Sequence, residues 1–400
     1  VREFPGSGGF TPDAEWLAAH RASLAAFAAR SPDPAGGFRW LDATGGHQPD
    51  QPVATWITAR MTHVFALEDG LGNPGAAALV DHGVAALRGP LRDAEHGGWF
   101  ASLADPRKAA YDHAFVLLAA CGAHAAGRSG ADALLAEACE VVETRFWDGS
   151  LPLESWDRGW TETEDYRGAN SAMHFVEAFL AAGDVTGDRI WHRRALDIAT
   201  RIAHEVSAAH DWRVPEHFTA DWEPDLDYNR DDPRHPFRPY GGTIGHWLEW
   251  ARLLLHLEAA LGAAAPDWLV ADAAALFDSA TRRGWAVDGH PGFAYTLDWD
   301  DRPVVRERMH WVVAEAVLAA SALARRTGKP GYDRWYAGFW DFAVRHHVDA
   351  EHGGWWHEVT PGGVRASTVW SGKPDSYHAY QAALFPLLPL APAAAVAVRA

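Results

Sequence analysis

The segment DAEHGGW occurs twice, as Asp93–Trp99 and as Asp349–Trp355, and the second copy runs on as WHEV to Val359. Chance does not readily repeat seven residues that include His and Trp. A shared turn would explain the identity locally; a chain assembled from repeated units explains it globally, so repeats are sought first. Aromatic segments of the same kind recur: GGFRW at Trp40, EHGGWF at Trp99, RFWDGSLP at Trp147, HDWRVPEHF at Trp212, RGWAVDGHPGFAYTLDW at Trp285 and EHGGWWHEV at Trp355. Their anchors lie 59, 48, 65, 73 and 70 residues apart. Several read as short β-hairpins, with Gly or Asp-Gly turns between aromatic flanks.

Between these segments the hydrophobic period is near 3.6 and predicts twelve helices. They span Asp13–Arg30, Val53–Asp69, Pro74–Arg88, Ala109–Ala126, Ala131–Arg145, Gly168–Ala182, Asp188–Ala209, Gly242–Leu261, Asp267–Arg283, Val305–Thr327, Gly331–Val348 and Ser376–Leu390. Thr11-Pro12 reads as an N-cap followed by proline at the first helical position. Gly70, Gly127, Gly183, Gly262 and Gly328 stand where helices should stop. Connections after even-numbered helices are short, as in GLGN, GRSG and GKP. Those after odd-numbered helices are long and carry the aromatic segments, and long loops in a compact domain are usually functional. A helix pair cannot bury its apolar face alone, so six pairs must stack. Closing the stack gives an all-α (α/α)6 barrel of twelve helices, a single catalytic domain over residues 1–400, with β-hairpins in the long loops on one face. An open solenoid would want polar capping units, whereas the last helix, YHAYQAALFPLLPLAP, is apolar and aromatic.

Composition narrows the partners. Thirty-five Lys and Arg against 53 Asp and Glu, a net charge of −18, argue against nucleic acid and for a small or neutral substrate. The 21 tryptophans must line cores or a pocket. Cys121 and Cys139 sit in Ala-rich helices and read as buried free thiols; so few cysteines make the cytoplasm the expected compartment. No uninterrupted apolar run reaches the ~18 residues of a membrane span. The opening VREFPGSGGF lacks the apolar core of a signal peptide, and LFPLLPLAPAAAVAV reads as a buried end.

Every long loop leads into an even-numbered helix, so all six even helices begin at the loop-covered face. If they form the inner ring, their first turns line one pocket. Those turns hold Arg60 and His63; Tyr111, Asp112 and His113; Asn170, His174 and Glu177; His246 and Glu249; His310, Trp311 and Glu315; Tyr377, His378 and Gln381. Polar groups among aromatic faces suit a monosaccharide. A lone histidine on an apolar helix is ordinarily a satisfied core residue, and His63, His113 and His310 are read that way. His246 differs because Glu249, three residues on, shares its helix face and is expected to orient the ring and raise its basicity. His378 differs because a helix N-terminus disfavours imidazolium and keeps the ring ready as a base.

The segments YRGANSAMHFVEAFLAA, RPYGGTIGHWLEWARLLL, MHWVVAEA and SGKPDSYHAYQAALFPLLPLAP resemble the N-acylglucosamine 2-epimerase superfamily. They most resemble its aldose–ketose isomerase branch, that of D-mannose and sulfoquinovose isomerases. The likeness runs from the second helix to the C-terminus. It implies an (α/α)6 barrel, chemistry without metal or nicotinamide cofactor, and interconversion of D-mannose and D-fructose, extending to D-lyxose and D-xylulose. Sugar 2-epimerisation and sulfoquinovose isomerisation are the alternatives. It makes His246 and His378 an acid/base pair supported by Glu249. It places Arg60, Tyr111, Asn170, His174, Trp311 and Glu315 in the sugar site, with Gln381 beside them and Arg238 joining from a variable loop. Ring opening would be followed by proton transfer through a cis-enediol, His378 moving the C2/C1 proton and His246 the ring-opening and oxygen protons; the reverse assignment fits the sequence equally.

Other classes leave marks too. A glycoside hydrolase needs a carboxylate pair across the pocket; Glu162, Glu164 and Asp165 in WDRGWTETEDYRG offer carboxylates but read better as loop solvation and helix capping. A metal-dependent isomerase would favour HxH or HExxH spacing, which is absent. A non-catalytic sugar binder need not retain two poised histidines. No Arg cluster stands near the even-helix starts, which favours neutral sugars over sulfonated ones.

Overall fold

The computed structural model describes residues 4–5 and 9–400; the rest of VREFPGSGGF, on which the expectation about a leader partly falls, lies outside the described residues. Among the described residues the main helices are α1 (Ala14–Ala28), α2 (Thr55–Gly70), α3 (Ala76–Arg88), α4 (Ala110–Ala125), α5 (Ala131–Val141), α6 (Ala169–Thr186), α7 (Ile190–Ala199), α8 (Ile244–Leu261), α9 (Trp268–Gly284), α10 (His310–Thr327), α11 (Pro330–His346) and α12 (Tyr377–Leu384). Helices α5 and α7 run on as π-helical stretches, Val142–Phe146 and Thr200–Val206. A last short turn, α13, spans Ala394–Ala397.

The even helices pack in succession, α2 on α4, then α6, α8, α10 and α12, and α12 returns to α2. The odd helices pack outside them, α3 on α2 and so on around, with α1 on α12. This is an (α/α)6 barrel. Its two layers follow from the sequence pattern. In α2 every residue from Thr55 to Glu68 is buried, as an inner helix covered on all sides requires. In α9 the buried set includes Leu269, Ala273, Leu276, Phe277 and Ala280, one apolar stripe with a solvated back.

The long loops close a second ring above the first. Strand β1 (Lys108–Ala109) pairs with β2 (Ser155–Trp156), β3 (Tyr166–Gly168) with β4 (His217–Thr219), β5 (Gly242–Thr243) with β6 (Thr296–Leu297) and β8 (Arg308–Met309) with β9 (Glu358–Val359), all antiparallel; β7 (Pro303–Val305) extends the β5–β6 pair. Bridges Ala54↔Ser102 and Leu41↔Lys373 complete the circuit. Each loop is therefore hydrogen-bonded to the next, and the sixth to the first. Backbone groups laid over an apolar core have to pair, and neighbouring loops are the partners within reach.

Several boundaries move for this reason. Strands β1, β3, β5 and β8 lead directly into α4, α6, α8 and α10. Helix α10 therefore starts at His310, not Val305, because Val304 and Val305 take the extended backbone that β-branched residues favour. The aromatic segments at Phe38, Trp99, Trp147, Trp285 and Trp355 each close a tight turn by one bridge, whereas the Trp212 segment pairs with the preceding loop through β4. Asp13, not Thr11, caps α1, its side chain accepting from Trp16 N at 2.8 Å. Gly183 lies within α6 and Gly187 ends it. Helix α12 stops at Leu384, short of Leu390, with Pro386 in the 3-10 turn that follows. Beyond it, α13 packs against α2, α4 and α6. Ala395 of this turn and Ala393 just before it are buried, but much of LFPLLPLAPAAAVAV is only half-buried. Cys121 is buried and Cys139 half-buried, both free.

The repeated heptapeptide is a socket. In each copy the aspartate carboxylate accepts two backbone N–H groups, from Glu95 and His96 or from Glu351 and His352. Gly97, Gly98, Gly353 and Gly354 have φ of 66–88°, a region L side chains avoid. A buried lysine fills each turn. Lys108 Nζ lies 3.0 Å from Asp93 and 2.7 Å from the Gly97 carbonyl; Lys373 Nζ lies 2.6 Å from Asp349 and 2.7 Å from the Gly353 carbonyl. Lys108 lies two residues before α4 and Lys373 four before α12, so each socket anchors the entry to an inner helix. Asp349→Asn leaves the Lys373 ammonium buried without its counter-charge and should destabilise by about 3–5 kcal/mol, read by denaturant unfolding. The double variant Asp349→Asn, Lys373→Met should recover part of that loss.

Candidate active site

Under the loop roof, at the N-terminal ends of the inner helices, lies a pocket of about 600 Å³, mouth included. The N-cap residues of α4, α6, α8 and α10, Ala109, Gly168, Thr243 and Met309, supply no side-chain cap. The positive ends of these helices therefore converge beneath the roof and favour negative charge or a neutral imidazole there.

His246 is the third residue of α8. Its Nδ1 lies 2.6 Å from Glu216 Oε2, and the other oxygen of Glu216 accepts from Thr243 N at 3.2 Å. His378 is the second residue of α12, and its Nδ1 lies 2.8 Å from Glu315 Oε1. In both rings a carboxylate engages Nδ1 as donor, leaving Nε2 as the basic nitrogen. The Trp311 indole lies between them, its centroid 5.0 Å from the His246 ring and 5.7 Å from that of His378. Burial holds His378 below the ordinary histidine value, although the Glu315 hydrogen bond opposes it. The ring is thus an available base at neutral pH.

Glu249 does not orient His246. Side chains on a helix lean toward its N-terminus, so His246 meets the roof residue Glu216, while Glu249, one turn deeper, meets Arg252 at 3.3 Å. Glu216 carried no periodic signal; it sits in the HDWRVPEHF loop, thirty residues before the ring it holds.

Arg60, Tyr111, Asn170, His174 and Trp311 line the pocket with both histidines and Glu249. Arg60 donates to Asp375 at 3.1 Å and to the Tyr111 hydroxyl at 2.7 Å, and its guanidinium packs over the Phe115 ring at 4.3 Å. Glu315 and Gln381 stand behind the lining: Glu315 holds His378 from below, and Gln381 reaches Glu177 at 3.5 Å. Arg238 lies outside. It pairs with Glu164 at 2.7 and 3.1 Å and stacks 3.9 Å over Tyr166, bordering a larger neighbouring cavity; its neighbour Phe237 enters the pocket instead. His310 is not a satisfied core residue. It lines the pocket, both ring nitrogens lack a protein partner, and it stacks on His357 at 3.6 Å. His113 is structural, accepting from Trp99 N at 3.1 Å. His63 lies deeper, and burial lowers it to about 4. Trp56, Tyr295, His357, Trp370 and Asp375 also line it, and Pro236, Pro239 and Pro374 complete the lining. Most of these arrive on roof loops, where no period singles out an inward side chain.

Below the pocket Arg252 contacts three carboxyl groups: Glu315 at 2.9 Å, Glu249 at 3.3 Å and Glu177 at 3.4 Å. Two trios of donor atoms, His174–Glu177–Glu249 and Glu249–Glu315–His378, converge within 4.8 Å. The counter-charge a divalent ion would bring is already supplied by the guanidinium, so this cluster suits a protein cation better than a metal.

The sequence pattern of the N-acylglucosamine 2-epimerase (GlcNAc 2-epimerase) family matches residues 36–382. A D-mannose isomerase of Thermobifida fusca is 58% identical over 392 residues, covering 96% of each chain. A D-mannose isomerase of Pseudomonas cannabina pv. alisalensis is 50% identical over 394 residues, covering 96% of this chain and 95% of that one. A crystal structure of D-mannose isomerase superposes with a TM-score of 0.87 at 28% identity, covering 94% of this chain and 99% of that one.

Glu315→Gln tests the role of the carboxylate behind His378. Its hydrogen bond and charge raise His378, so removing them lowers the pKa of the base further. The acid limb of kcat/KM should move to lower pH while kcat falls by about 10²-fold, within the range of general-base contributions. An unmoved acid limb would detach Glu315 from His378 function.

Proposed function

The chain belongs to the N-acylglucosamine 2-epimerase family, and we propose that it is an aldose–ketose isomerase of the D-mannose isomerase type, converting D-mannose to D-fructose. The observation that carries this reading is the pair of carboxylate-held imidazoles, each with Nε2 free, on either side of Trp311 in one buried pocket. Ring opening needs a proton acceptor at the anomeric hydroxyl and a donor at the ring oxygen. Isomerisation then needs one base to carry the C2 proton to C1 across a cis-enediol. We assign the carbon-bound proton to His378, the ring that burial keeps neutral, and the oxygen protons to His246. Arg60, positioned by Asp375 and Tyr111, serves the developing oxygen charge. Trp56, Phe237 and Trp370 offer faces for the sugar ring.

The same observations weigh against glycoside hydrolysis. Glu162 and Asp165 are exposed, Glu164 is clasped by Arg238, and the lining carboxyl groups Glu249 and Asp375 are each engaged by an arginine. Arg60 alone does not make the cationic pocket a sulfonate would want, so neutral sugars are the substrates. No helix among the described residues is long and apolar enough to cross a membrane; with two free thiols, the cytoplasm is the compartment we assign. Residues 1–400 act as one catalytic unit.

A proton NMR time course with D-mannose in D2O, on protein treated with EDTA, is the test. Fructose should appear, and His246→Ala and His378→Ala should each abolish it with the fold intact. Glucose without fructose would indicate a 2-epimerase; activity lost to the chelator would overturn the metal-free chemistry.

A further inference from the structure

The pocket floor sets one guanidinium against three carboxyl groups, and the three are not equally served. Glu315 receives Arg252 Nε at 2.9 Å and His378 Nδ1 at 2.8 Å. Glu177 receives Arg252 at 3.4 Å, the Gln381 amide at 3.5 Å and the Tyr377 hydroxyl. Glu249 has Arg252 at 3.3 Å and His174 Nδ1 at 3.9 Å, both on Oε1, and its Oε2 is buried without any hydrogen-bond partner. Yet Glu249 borders the pocket, and its carboxyl lies within 4.8 Å of a ring nitrogen of His378 and of one of His174.

No group facing Glu249 hydrogen-bonds to Oε2, although the unpartnered His174 Nδ1 faces Oε1 and Tyr111 faces the carboxyl from α4. From α2 comes Arg60, already engaged by Asp375 and Tyr111. From α6 come His174 and Glu177, from α10 Glu315, and from α12 His378, Tyr377 and Gln381. Helix α8 itself adds His246 and Arg252. An ionised oxygen buried with no donor would bear the full desolvation penalty of a charge. A protonated one becomes a donor, and the pocket is where it can donate.

We propose that Glu249 is a neutral carboxylic acid whose O–H donates a hydrogen bond into the pocket, to the sugar oxygen that becomes negative in the enediolate. This rests on the isomerase reading. Removal of the C2 proton by His378 sends the C–H electron pair into a C1–C2 double bond and the C1 carbonyl pair onto O1. Glu249 stabilises that charge and keeps its own proton; His246 moves the O2 proton to O1, and as the C2–O2 double bond forms, the C1–C2 pair takes the carbon proton back from His378 at C1. Burial, followed by the neighbouring Glu315 charge, pushes the Glu249 carboxyl well above the usual range, with Arg252 opposing. Neutral carboxyl donors at an oxyanion are known where a site is this apolar and crowded with acids.

The test has two readouts. An infrared difference spectrum of wild type minus Glu249→Gln at pH 7, without sugar, should show loss of a protonated-carboxyl carbonyl band and no loss of carboxylate bands. In D-mannose isomerisation, Glu249→Gln should keep kcat within about fivefold, because the amide still donates, whereas Glu249→Ala should lose about 10²–10³-fold, as removal of an oxyanion donor does. Loss of carboxylate bands, or a Gln variant as slow as the Ala variant, would overturn the proposal. If Glu249→Ala fails to fold, the rate of the Gln variant against wild type decides. If wild type leaves D-mannose unchanged, the isomerase reading fails, and with it the assigned oxygen, while the infrared result still decides the protonation state.

Discussion

Six helix pairs, each apolar where it faces its neighbours, have nowhere to hide that surface except in one another. Stacked in a closed ring, the inner helices become buried on every side, as α2 shows from Thr55 to Glu68. A wholly buried inner layer then forces everything polar to the ends of the ring or into compensated clusters. At the roofed end, the loops must satisfy their own backbone, which they do by pairing each with the next. The pocket is what remains between the inner helix starts and that roof. Its location follows from ring closure, before any functional residue is considered.

Charge buried in the ring and its roof is largely matched. Lys108 and Lys373 enter the sockets of Asp93 and Asp349, Arg60 meets Asp375, and Arg252 meets three carboxyl groups. A buried pair contributes little net stability against an apolar replacement, yet removing one partner is severe. Such pairs therefore specify position more than they stabilise. The lysines hold the entry to α4 and α12; Arg60 and Arg252 hold the wall and floor of the pocket. The imidazoles of His246 and His378 are held by the same logic, each by one carboxylate at Nδ1.

Much of this was legible in the chain. The duplicated DAEHGGW, the alternation of long and short connections and the 3.6-residue period led to the ring, and the even-helix starts led to Arg60, Tyr111, Asn170, His174, His246, Trp311 and His378, all of which line one pocket. Helical spacing misled at Glu249: three residues from His246 is a shared face on an isolated helix, but inside the barrel the two side chains address different layers, one the roof and one the floor. Arg238 borders the adjoining cavity, not this pocket, because a loop residue has no period to aim it and Glu164 and Tyr166 hold it there. His310 was taken for a core histidine because neither its stacking on His357 nor the lack of partners for its nitrogens can be seen along one strand of sequence.

The sequence by itself determined which segments are helices, which of them are inner, and at which end the pocket lies, because those properties depend on periods and connection lengths that are local to the chain. Only the tertiary structure decided which carboxylate serves which histidine. Glu216 reaches His246 from a roof loop and Glu315 reaches His378 from the adjoining helix, 30 and 63 residues away. Pairings of that kind are set by the packing of neighbouring elements, and no spacing within one helix encodes them.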